Sequence, residues 1–158
     1  MADDPLQSRA DTLVDSASVN AVTMFTPLLN QFPSLRGIPT KHWDFILTVA
    51  GVFVAATRLS NMRLGDAREQ HLMDRVAERL TVWSPDGVRA FEDCKTLFDK
   101  NYDALTNADH DPKFIASDSV GMWIVWNTLG KTGSEEERRL VRMVGATITH
   151  TFFNWWSE

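Results

Sequence analysis

The sequence predicts an all-α fold: one domain, residues 1–158, built as a bundle of six or seven helices around a buried central helix at about residues 41–61. Three observations carry this. The longest apolar run, Trp43 to Leu59, is apolar on all sides. Strand signals are nearly absent: no alternating Val/Ile/Thr run and no Asn-Gly or Asp-Gly hairpin occurs. Helix start and stop signals recur along the chain.

The central run reads WDFILTVAGVFVAATRL. Ile46, Val49, Phe53 and Ala56 fall on one side of a helix, and Leu47, Ala50, Val54 and Ala55 on another. A helix apolar all round is enclosed by protein or by lipid. A membrane span needs about 20 apolar residues. The uninterrupted part, Phe45 to Ala56, is shorter and carries Thr48, so the expectation is a core helix and no membrane span. Ile46, Val49, Ala50, Phe53 and Val54 should be nearly inaccessible. Gly51 and Ala55 should let another helix approach closely, and Thr40 can cap the start.

Before it, Leu13, Val14, Ala17, Ala21, Phe25, Leu28 and Phe32 recur at helical spacing over residues 12–32, with Pro27 expected to kink or divide the helix. Downstream, Asp66 is expected to cap a helix to about Trp83 with Leu72, Met73, Val76, Leu80 and Trp83 on one stripe. Arg68, Arg75, Glu78 and Arg79 face away. Ser84-Pro85-Asp86 starts the next helix, expected to bury Val88, Phe91, Phe98, Tyr102 and Leu105. Asp111-Pro112 repeats the signal, and Gly130 closes the helix that contains Trp123 and Trp126. Ser134 and Glu137 form a capping box for the last helix, whose inward side is Leu140, Val144, Ile148, Phe152 and Trp155.

Composition narrows the function classes. The chain of 158 residues is 44% hydrophobic and 23% charged, as in ordinary folded domains. A net charge of -5 argues against nucleic acid as a partner. One cysteine, Cys94, allows no intramolecular disulfide and no cysteine-rich zinc site. The start MADDPLQSRAD does not read as a signal peptide, and the expected compartment is the cytoplasm.

Each candidate chemical site falls short. His71, Asp74 and Glu78 share a helix face, but it lies opposite the apolar stripe, and no Glu-x-x-His motif accompanies it. Asp99, Asn101, Asp103, Asn107 and Asp109 approach calcium-loop spacing. Ala104 replaces the turn glycine and His110 the bidentate glutamate. Cys94 has no cation or helix N-terminus to activate it. His150 falls on a face away from the core. Arg138, Arg139 and Arg142 follow Glu135 to Glu137, so pairs such as Glu135–Arg139 should absorb much of their charge, and an anion site is not favoured. No cofactor or metal is expected.

The tryptophans stand out: there are six, at Trp43, Trp83, Trp123, Trp126, Trp155 and Trp156. Adjacent residues of a helix point different ways, so Trp155 should enter the core, leaving Trp156 and Phe153 for an intermolecular contact. The first expectation is therefore a non-enzymatic interaction module, as a homo-oligomer or as a subunit bound to a protein partner. The second is a bundle holding a small apolar ligand in a cavity lined by Phe53, Met122, Trp123 and Trp126. The third is an enzyme whose Asp, Glu and His residues carry no readable motif.

Overall fold

A computed structural model of the chain describes residues 4–157. Among these the structure is helical, with no strand. Six α-helices follow in order: α1 Gln7–Gln31, α2 Thr40–Leu59, α3 Asp66–Trp83, α4 Gly87–Asn107, α5 Ile115–Leu129 and α6 Glu135–Phe152. Two 3-10 turns, Pro33–Gly37 and Pro112–Phe114, lead into α2 and α5.

α2 is the centre of the bundle and packs against α1, α4, α5 and α6. Ile46, Val49, Ala50, Phe53 and Val54 are all buried, as are Trp43, Leu47, Val52 and Leu59. Among the described residues, α2 is the one helix long and apolar enough to cross a membrane, and most of its surface is enclosed by the other helices. Its start differs from expectation. Thr40 is the first helical residue, and Pro39 precedes it with no side-chain cap. Proline is tolerated there because the first N–H groups of a helix have no internal acceptor. Pro27 does not divide α1, which continues through it to Gln31.

Small residues set the closest approaches. A Cβ on Gly51 would come within 2.8 Å of the Phe152 ring, so α6 lies directly against the middle of α2. The α5–α6 crossing is tighter still. A Cβ on Gly121 would sit 2.1 Å from the Val141 carbonyl oxygen, and one on Gly145 2.1 Å from that of Ser117. The two backbones touch where only hydrogen side chains fit.

Local signals explain the helix ends. Ser134 Oγ accepts from the Glu137 amide at 3.1 Å while Glu137 accepts from the Ser134 amide at 2.9 Å, which completes the capping box. The Ser134 amide holds the Glu137 carboxyl below its ordinary value. Gly130 closes α5 in the left-handed region at φ 75. α3 begins after Gly65 with no side-chain cap, and Asp66 lies in its first turn, where a carboxylate complements the positive helix end.

α3 is tied to α1 by two ion pairs. Arg68 donates to both Asp4 oxygens at 2.6 Å, and Arg75 donates to Asp11 at 2.7 and 2.8 Å. These bidentate pairs hold both carboxyls low, Asp4 at about 2. The polar face of α3 is thus partly a clamp. In α4 the inward residue is Cys94, fully buried, while Val88 and Tyr102 are 36% and 42% exposed. The expectation for those two is corrected, and Phe91, Phe98 and Leu105 are half-buried: α4 lies on the outside of the bundle and buries only Gly87 and Cys94 fully.

Candidate functional site

The C-terminal end of α6 and the centre of α2 enclose an apolar groove. Phe53, Val54 and Arg58 come from α2, Phe98 from α4, Val120 from α5, and Phe153 from the turn after α6. Its volume is about 210 Å³. Phe153 is 45% exposed, and the Arg58 guanidinium carbon lies 4.6 Å from the centre of its ring. That cation–π contact fixes the ring although nothing covers it. Arg58 makes no ion pair among the described residues. Thr149 adds one polar atom. Its Oγ1 is buried with no hydrogen-bond partner, whereas Thr147 and Thr151 donate to carbonyls four residues back.

The last tryptophans exchange the places expected of them. Trp156 is only 4% exposed and its Nε1 donates to the Ala55 carbonyl at 2.8 Å. Trp155 is half-buried and donates to the Arg9 carbonyl at 2.9 Å. The reason is local. α6 stops at Phe152, and the chain turns through residues 153–156, so helical phase no longer decides which ring faces inward. Trp156 is therefore a core residue, and of the two rings singled out for contact only Phe153 stands at the surface.

The envisaged ligand cavity does not assemble as one site. Met122, Trp123 and Trp126 line a small cleft of about 110 Å³ with Leu97, Asn101 and Thr132. Phe53 lies apart from it, in the groove beside Phe153. Trp123 is buried and donates to Asp93 Oδ2 at 3.0 Å, while Trp126 is 55% exposed.

Apart from Thr149, the acidic and thiol groups near these surfaces are either paired or unsuited to chemistry. Asp118, on α5, accepts from Arg142 Nε and Nη2 at 2.9 and 3.0 Å, and its Oδ2 lies 2.7 Å from His110 Nε2. Arg142 also lies over Phe114, 3.7 Å from its centroid. This cluster joins α5, α6 and the loop before α5, and the carboxylate's two oxygens are both engaged. Burial pushes the Cys94 thiol well above its ordinary range, the reverse of what a nucleophilic thiolate needs. His71, Asp74, Glu78 and His150 are exposed. Among the described residues no three His, Cys, Asp or Glu side chains converge as metal ligands would.

The arginine cluster differs most from its sequence reading. The pairing of Glu135 with Arg139 does not form among the described ion pairs. Glu136 accepts from Ser34, and Glu137 serves the capping box and Lys131. Arg138 donates to the Gly133 carbonyl at 2.6 Å, and Arg139 lies 6.0 Å from the Phe32 ring centre. Together with Arg142 they edge a broad groove of about 730 Å³, with Phe32, Phe114, Met143 and Ala146 as apolar lining. The expected helix pairs give way to local bonds just before α6 and, for Glu136, Arg139 and Arg142, to contacts with other elements, which no spacing rule registers.

No protein-family model matches this chain, and no curated protein or solved structure proved similar to it.

Proposed function

We propose that the protein is a non-enzymatic helical contact module that assembles with a second copy of itself through the groove around Phe153. The observation that carries this reading is the exposed Phe153 ring, held in place by Arg58 at the mouth of an apolar groove. At about 210 Å³ the groove is smaller than the ~300–1,000 Å³ of sites that enclose a drug-sized ligand. It suits an apolar side chain from another protein surface. Aromatic residues and arginine are enriched in such contacts. A second copy is the partner of choice because most oligomers are closed assemblies of identical chains. The paired carboxylates of Asp118 and Asp93 and the buried Cys94 thiol, pushed up by that burial, support contact over chemistry. A cytoplasmic setting fits the single free cysteine.

The test is sedimentation velocity over a wide concentration range. The native chain should show a reversible monomer–dimer equilibrium. Phe153→Ser, which removes an exposed ring, should fold normally and shift that equilibrium to monomer. A native chain that remains monomeric at every concentration would refute the proposal.

A further inference from the structure

We infer that the arginine-edged groove between α6, the end of α1 and Phe114 binds a carboxylate carried on an apolar body, such as a fatty or aromatic acid. This is independent of assembly through Phe153, which lies in a different groove. At about 730 Å³ the groove falls in the ~300–1,000 Å³ range of small-molecule sites. Its lining divides into two parts. Arg138, Arg139 and Arg142 supply guanidinium groups; Phe32, Phe114 and Met143 supply apolar surface.

The placement of charge favours an anion at Arg139. Three carboxylates bear on the three guanidiniums, but two of them, Asp118 and Asp111, serve Arg142, and Glu135 lines the groove. Arg139 makes no ion pair among the described residues, and its guanidinium carbon lies 6.0 Å from the centre of the Phe32 ring. No described ion pair takes the edge of this guanidinium, and that edge matches a carboxylate with two parallel hydrogen bonds. Arg142 is braced by Phe114 and Asp118, so its position costs the ligand no ordering. The apolar body would lie along Met143 and Ala146, one turn further down α6. A small hydrophilic anion would leave that apolar surface wet.

The experiment is isothermal titration of the full chain with octanoate, octanol and acetate, each below any aggregation threshold. Octanoate should bind saturably at one site, and acetate and octanol at least tenfold more weakly. Arg139→Gln, an exposed position, should weaken octanoate about tenfold or more, as loss of a charged hydrogen bond does. Glu135→Gln should leave it equal or tighter. Circular dichroism confirms that each variant is folded. Equal binding of octanol and octanoate would overturn the inference, as would an unchanged affinity in Arg139→Gln. Loss of binding in Arg58→Gln with retention in Arg139→Gln would move the site to the Phe153 groove and overturn it equally.

Discussion

Gly145→Ala adds one methyl group at the point where α5 and α6 touch. The new Cβ would lie 2.1 Å from the Ser117 carbonyl oxygen and 3.2 Å from the Gly121 nitrogen. A carbon and a carbonyl oxygen rest at about 3.3 Å or more, so the helices must part by roughly 1 Å. The obstacle is backbone, which cannot rotate aside as a side chain does. Over-packing of this kind costs about 1–3 kcal/mol, and rigid backbone on both sides puts it at the upper end. Against it stands the helix preference of alanine over glycine, about 1 kcal/mol. The difference is a net loss of about 2 kcal/mol, or about 4–8 °C in melting temperature for a chain of this size. The separation would also stretch the Arg142–Asp118 bonds across the same helix pair. Thermal and urea unfolding followed by circular dichroism measure the loss. Gly51→Ala is the control: its Cβ would meet the Phe152 ring at 2.8 Å, and a ring can tilt, so the loss should be smaller. A Gly145→Ala protein that melts at or above the native temperature would refute the reasoning.

Other expectations follow from the same structure. Gly51→Leu should over-pack α2 against Phe152 and destabilise by about 1–3 kcal/mol or more, read by urea unfolding. Trp156→Ala should cost about 3–5 kcal/mol, as large truncations in a core do, whereas Phe153→Ser should hardly move the melting temperature. The Asp4 carboxyl should titrate near 2 in the folded chain, against an ordinary 3.8, when followed by carbon NMR. Its folded value is depressed, so the stability it contributes is present above its ordinary value and is lost as pH falls towards the folded one. Arg68→Gln should bring the titration back towards the ordinary value. Cys94 should resist thiol reagents at neutral pH in the native protein and react once urea unfolds it.

The helices were legible because their signals are local. The Ser134–Glu137 box and the Gly130 stop involve neighbours in sequence, and the all-round apolar character of α2 needs only its own residues. What the sequence concealed depends on which element lies opposite. Gly121 and Gly145 are ordinary helical glycines until a second backbone is laid across them. Arg75 falls on the outward face of its own helix, yet it finds Asp11, 64 residues away. Trp155 and Trp156 were placed by helical phase, and a helix ending at Phe152 reversed them. Of the surfaces, Phe153 was visible as a ring without a reason to be inside. The arginine groove was not, because its far walls, Phe32 and Phe114, come from elements distant in sequence, and Glu136 turns away to Ser34.

The clamp between α1 and α3 has an electrical side. Asp4 and Asp11 pair with Arg68 and Arg75, so residue numbers rise in the same direction on both sides, and the two helices run parallel. Parallel neighbours place their positive ends together, an arrangement that two aligned macrodipoles resist. Arg68, in the first turn of α3, adds a further positive charge to that end. The Asp4 carboxylate accepts from Arg68 and from the Leu6 amide at the entrance of α1. One negative group therefore lies between two helix starts and a guanidinium. With Asp66 and Glu69 beside it, this end of the bundle carries the counter-charge that lets α1 and α3 lie side by side in the same sense. Replacing Asp4 by Asn would leave two like poles facing each other, and the opening strands of hydrogen bonds in α1 should then exchange their amide protons first.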